Sequence, residues 1–188
     1  MRNATSLLWL HTAVILAAFL STLGCQRSPE PSPSSSSSTA SYEFQGTWIA
    51  SGNRQSIRLG EERRASIAQL SGSLVLSGAS RPDVGFLADA LVLNDTASGI
   101  TGRAVWTDDH GDQIFSELKG EPTATGSKIS GNFIGGTGRY AGATGSYGFS
   151  WRFVLDTEDG VLHGQSEGLT GQILVSASPP ATDPGAAR

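Results

Sequence analysis

At 188 residues the chain can hold one domain of useful core size once its ends are set aside. Its 13 Lys+Arg against 17 Asp+Glu leave a formal charge of −4, with no basic stripe and interleaved aromatics of the kind nucleic acid requires. A single cysteine excludes an intramolecular disulfide, so an exported domain here holds itself by packing.

Met1-Arg2-Asn3 is a short positive segment, and Leu7 to Leu20 is an apolar run interrupted only by His11 and Thr12. Ser21 to Cys25 closes it, which reads as a secretory signal over residues 1–24, too short and wrongly flanked for a stable span. The cysteine stands at the processing point, so the segment resembles a bacterial lipoprotein signal with Cys25 as the lipidated first residue. Thr22 and Leu23 reverse the usual order before that cysteine, and ordinary cleavage near Gly24 is the alternative. Residues 25–41 contain Pro29, Pro31, Pro33 and the run Ser34 to Ser38. Such a stretch buries too little apolar surface to offset its ordering entropy, and it is expected to be a disordered tether. Residues 176–188, with Pro179, Pro180 and Pro184, repeat that chemistry, leaving 42–175 as the folded unit. The expected location is the bacterial cell envelope, with membrane contact only through the anchor.

Within that unit the hydrophobic period is two. Phe44, Gly46, Trp48 and Ala50 share one face of a first strand, and Gln55 to Leu59 reads as a short second strand. Leu70, Gly72, Leu74 and Leu76 form the apolar face of the next. Leu87, Leu91 and Leu93 fall together in Gly85 to Asn94, with Asp89 on the same face; helix is the competing reading there. Ile100, Gly102, Ala104 and Trp106 line another strand, and Asp108-Asp109-His110-Gly111 reads as the hairpin turn after it. Ile114 to Lys119 follows, then Ile129, Gly131 and Phe133. Gly135-Gly136-Thr137-Gly138 supplies the positive-φ freedom of a sharp reversal into Phe149, Trp151 and Phe153. Val161 to Val175 is last, with a bulge expected near Gly168.

An aliphatic residue, a spacer and a glycine recur along the domain, as in Leu70-Ser71-Gly72, Ile129-Ser130-Gly131 and Leu169-Thr170-Gly171. Glycine inside a strand weakens it unless it marks a bend or a close approach. Its repetition, with turn signals about every ten residues, predicts an all-β fold: a single closed or nearly closed antiparallel barrel of about eight strands.

The stretch Phe133 to Gly145, F-I-G-G-T-G-R-Y-A-G-A-T-G, resembles the signature of the allene oxide cyclase-like and dirigent-like barrels. The motif corner is Gly135, Gly136, Gly138, Arg139 and Tyr140. The resemblance covers about two dozen residues directly and implies a calycin-type barrel that guides a substrate by shape, and association into dimers or trimers. The family's polar residues find no match at motif positions here. Gly46-Thr47-Trp48 is similar to the start of lipocalin barrels, where a late-strand arginine, here Arg152, covers the tryptophan.

Trp48, Trp106, Phe133, Phe149, Trp151 and Phe153 are candidates to line an apolar cavity; the alternative is a core filled by its own side chains. Asp89, His163 and Glu167 are candidates for a polar patch in that cavity, and if they face outward they are ordinary wet surface. Asp108, Asp109, His110 and Asp112 gather possible metal ligands, but without a calcium-loop spacing they read as a solvated turn. No nucleophile arrangement, phosphate loop or zinc spacing is present, and no cofactor is implied. The sequence thus favours an exported, anchored binding module for a small apolar ligand or an envelope partner over an enzyme. A cofactor-free isomerase or cyclase, and a structural protein with a packed barrel, are the alternatives.

Overall fold

The computed structural model describes residues 39–176. The period of two carries through as eight strands: β1 Thr39–Arg58, β2 Arg64–Ser77, β3 Gly85–Asp95, β4 Gly99–Thr107, β5 Gln113–Thr123, β6 Gly126–Gly136, β7 Thr144–Asp156 and β8 Val161–Ser176. A 3₁₀ turn, Gly138–Tyr140, interrupts the β6–β7 connection. Every strand pairs antiparallel with the next, and β8 returns to β1, closing the barrel that the glycine repeat predicts. Among the described residues, closure leaves no unpaired sheet edge to recruit another chain.

The connections alternate between two ends. One, the corner end, carries the start of β1, the end of β8, loop 78–84, loop 108–112 and the corner 137–143. The other, the turn end, carries only the short turns between β1 and β2, β3 and β4, β5 and β6, and β7 and β8.

Several expectations are corrected. Gln55 to Leu59 is no separate strand: β1 runs unbroken to Arg58, with Gln55 opposite Ile67 and Arg58 opposite Arg64. Gly52, mid-strand, is a site of close approach, because a Cβ there would meet the Gln69 carbonyl oxygen at 1.7 Å. β1 also begins within the stretch expected as tether, since Thr39, Ala40 and Ser41 pair with Ser176, Val175 and Leu174. In β3 the strand reading holds over the helix, but Leu87, Asp89, Leu91 and Leu93 are the outward set. Phe86, Ala88 and Ala90 face inward: Phe86 joins the aromatic core, and the two alanines are small enough to fit beside the indoles that fill the lumen. The outer face of β1–β3 therefore shows Ile49, Ile67, Leu87, Leu91 and Leu93 to solvent.

The bulge expected near Gly168 is present. Glu167 and Gly168 are both exposed between buried Ser166 and Leu169, and the registers of β8 with β7 and with β1 both shift there. The shift takes the Trp48 N–H out of the ladder, and it donates instead to Ser166 Oγ at 2.7 Å. A buried serine thus satisfies a backbone donor that would otherwise be orphaned.

The core is a column of aromatic rings. Towards the corner end, Phe44, Phe86, Trp106, Phe133, Tyr140 and Tyr147 form a continuous cluster with centroid separations from 4.7 to 6.3 Å. Glycines on facing strands make the room: a Cβ at Gly131 would lie 2.2 Å from the Tyr147 ring, and one at Gly171 would lie 2.6 Å from Phe44. Inside this plug the Tyr147 hydroxyl and Ser116 Oγ, both buried, share a hydrogen bond of 2.8 Å.

Candidate functional site

The two readings of the aromatic set, cavity and filled core, divide the barrel between them. Mid-barrel, a void of only about 20 Å³ remains, apolar and bordered by Trp48, Leu74, Trp106 and Tyr147. That is room for a single water at most, and apolar walls keep such a void dry. Towards the turn end the lumen widens into a cavity of about 160 Å³, here called the mouth cavity. Its walls include Trp48, Leu70, Ala90, Ile129, Phe149, Trp151, Phe153 and Leu162, and its rim includes Arg54, Ser66, Asn94, Pro122 and Ser127.

Of the six aromatic candidates, Trp48, Phe149, Trp151 and Phe153 line the mouth cavity. Trp106 and Phe133 belong to the plug. Trp48 and Trp151 lie with ring centroids 5.0 Å apart, Phe149 meets Trp48 edge-on at 6.3 Å, and Phe153 meets Trp151 edge-on at 6.2 Å. The cavity is wide here because Ala68 and Ala90 stand where larger side chains would fill it.

None of the three polar candidates enters the lumen. Asp89, His163 and Glu167 are exposed, since Ala88 and Ala90 on β3 and Leu162, Gly164 and Ser166 on β8 hold the inward positions. Glu167 pairs across the outer surface with Arg152, at 3.0 Å. Arg152 is thus committed outside the barrel and does not cover Trp48 as the lipocalin comparison implies.

The mouth cavity has one titratable side chain in its lining, Arg54. Its two terminal nitrogens reach the two carboxylate oxygens of Asp156, at 2.8 and 2.7 Å, a bidentate pair that satisfies both charges. Three other polar atoms of the lining residues are buried without a hydrogen-bond partner: Trp48 Nε1, Trp151 Nε1 and Asn94 Oδ1. Sequence reasoning missed Arg54, Asn94 and Ser127, because nothing distinguishes a rim position from any other residue near a strand end.

The corner end is built as a closure. Asp108, expected at a solvated turn, has a side chain of 0% exposure. Its Oδ1 accepts the N–H groups of His110 and Asp112 at 2.8 and 2.9 Å. Its Oδ2 accepts Arg139 Nε and Nη2 at 2.9 and 2.6 Å. Burial pushes this carboxyl up, but the Arg139 guanidinium and the two backbone donors outweigh it and hold it below the usual carboxylate range. Burial likewise works against the Arg139 charge, and the contacts with Asp108 and Asp83 reverse the sign, so the guanidinium is held charged. Arg139 thereby ties loop 78–84, loop 108–112 and the corner together, and its guanidinium lies 5.1 Å over the Tyr140 ring.

The glycines of the motif corner serve this closure in different ways. Gly138, at φ +50, packs where any Cβ would strike the Asp112 carboxylate at 1.8 Å. Gly135 also takes positive φ as expected, whereas Gly136 does not and is small because Gln113 O and Tyr140 O lie 2.4 and 2.6 Å from its Cβ position. Donor atoms of Asp83, Asp108 and His110 lie within 4.8 Å of one another, a spacing a cation could use. Arg139 already supplies the positive charge there, and both Asp108 oxygens are engaged. The group is a structural closure.

Cys25 and the signal, tether and tail segments, apart from the ends taken into β1 and β8, lie outside the described residues. No family model matches this chain, and no curated protein matches it.

Proposed function

We propose that the protein is an exported, lipid-anchored barrel that binds a small apolar molecule in the mouth cavity. The observation that carries this reading is a lumen plugged at the corner end and hollow at the turn end, with aromatic walls around about 160 Å³. An apolar cavity of about 150 Å³ takes a benzene-sized guest, so the ligand is a ring or a short branched chain and not an extended acyl tail. The lining supports binding over acid–base chemistry, since its only ionisable group is Arg54, already paired with Asp156. Resemblance to the allene oxide cyclase-like and dirigent-like barrels supports the same use of the lumen, a cavity that acts by shape.

The anchor fits this geometry. β1 begins at the corner end, opposite the mouth, and an attachment through the residues before it supports a cavity turned away from the anchor. Replacing Cys25 by Ser is expected to release the protein from the membrane fraction.

Binding is tested with benzene on ¹⁵N-labelled protein, following the amide and indole resonances. Saturable shifts confined to residues around the mouth cavity are expected, and they should vanish in Ala90→Phe, which places a ring inside it. Shifts absent at benzene saturation, or undiminished by that substitution, refute the reading.

A further inference from the structure

We propose that a second copy of this chain covers the outer face of β1–β4, in a two-fold dimer that sets Asp89 of each copy against the partner's Arg103. The outer face alone carries this, independently of the cavity.

That face differs from the rest of the barrel's surface. Ile49, Ile67, Val75, Leu87, Leu91 and Leu93 point outward on three adjacent strands and are 43–60% exposed. Take the stretch from the row of Thr47 and Val75 to the row of Gln55, Ile67, Leu93 and Thr101. Its other outward side chains are Ser, Thr, Asn, Gln and Val, and its only charges are Asp89 and Arg103. The outward positions of β5–β8 instead carry Glu117, Lys119, Glu121, Lys128, Arg152 and Glu167. Aliphatic side chains gathered on one side, with charge depleted among them, have the composition of an interface core.

The size is sufficient. The face runs about 30 Å along the strands and roughly 19 Å across four of them, on the order of 600 Å². A specific dimer needs about 500–800 Å² from each copy, so the contact uses nearly the whole face.

The charge pattern selects the occupant. Asp89 stands opposite Val105, and Leu91 opposite Arg103. Acid and base thus hold one diagonal of a four-residue box, and two aliphatics hold the other. Arg103 turns away from Asp89 to meet Glu117 at 2.7 Å, and Asp89 is in no ion pair among the described residues. With Arg103 and Glu117 63% and 41% exposed, that pair is weakly held, and the guanidinium has donors left for a second carboxylate. A two-fold axis lying in the contact, along the Leu91–Val105 diagonal, brings each Asp89 onto the partner's Arg103. It also packs the aliphatic diagonal against its own copy, as an isologous contact requires. Burying Asp89 unpaired would oppose association, and this arrangement pairs it. The face is on the barrel's side, so both mouths stay open.

Sedimentation equilibrium of the full chain at micromolar concentration should give about twice 19.5 kDa. Leu91→Glu changes an exposed side chain and should leave the circular dichroism spectrum unaltered while yielding monomer. Asp89→Arg and Arg103→Asp each set like charges face to face and should weaken the dimer more than ten-fold. The double variant Asp89→Arg with Arg103→Asp restores opposite charges across the axis and should return affinity to within three-fold of the original. A monomer at every concentration, or a mass other than the dimer's, overturns the proposal. So does association that Leu91→Glu leaves intact, which lies elsewhere on the chain, or a double variant as weak as the singles.

Discussion

Removing the buried carboxylate at the corner end, in Asp108→Ala, tests whether the closure is a stability element. The substitution deletes acceptors for four N–H groups: two backbone donors, from His110 and Asp112, and two from Arg139. Each backbone donor left unsatisfied costs about 1 kcal/mol or somewhat more, and charge-assisted bonds carry about 1.5–3. Arg139 is 40% exposed and keeps Asp83, so water and that partner recover much of its share. A loss of about 3 kcal/mol remains, which is a large fraction of the stability of an ordinary domain. Asp108→Asn retains one oxygen for the backbone donors and should cost about half as much. Urea unfolding monitored by tryptophan fluorescence and circular dichroism would measure both. A loss under 1 kcal/mol for the alanine variant, or equal losses for the two variants, would show that the closure contributes little and that its geometry is incidental.

Two further predictions concern the polar atoms of the lumen. The Tyr147 hydroxyl is pushed up to about 12 by burial, opposed in part by Ser116, against about 10 in an unfolded chain. Its contribution is full below pH 10 and is lost as pH rises from 10 towards 12, by about 2–3 kcal/mol. Tyr147→Phe should remove that alkaline phase at a cost of about 1 kcal/mol at neutral pH; a stability profile that still falls identically between pH 10 and 12 assigns the phase elsewhere. Ser166→Ala should cost about 1–3 kcal/mol by orphaning the Trp48 N–H at the bulge, while Ser166→Thr, which keeps the acceptor, should recover part of it. Thermal unfolding of the two variants decides this, and an unchanged alanine variant would mean that the donor finds another partner.

What the sequence conveys well is what depends on period two and on glycine. The inward sets Phe44–Gly46–Trp48–Ala50 and Ile100–Gly102–Ala104–Trp106 are readable because aromatic and glycine alternate with polar residues, and both glycine and ring have a clear reason to face a tight lumen. β3 misleads for the same cause. Its leucines are more hydrophobic than its alanines, so hydrophobicity assigns the leucines inward, whereas volume decides the question in a narrow barrel already holding Trp48 and Trp106. Asp108 misleads because its principal partner, Arg139, is 31 residues away and no local signal connects them. The split of the aromatic set into plug and cavity wall is a matter of height along the barrel axis, which no residue pattern on a single strand expresses.

The order of the strands has a kinetic consequence. Seven of the eight pairings join neighbours through connections of a few residues, so they can zip progressively as hairpins. Only the seam between β1 and β8, with Thr39 opposite Ser176, brings distant parts of the chain together. Closing so long a segment from the unfolded state would cost about 4 kcal/mol in chain entropy, but a meander grown strand by strand has already spent most of that before the ends meet. The slow step of assembly is then the last one, and until it completes the two unsealed borders are the part of the molecule most open to mispairing with another copy.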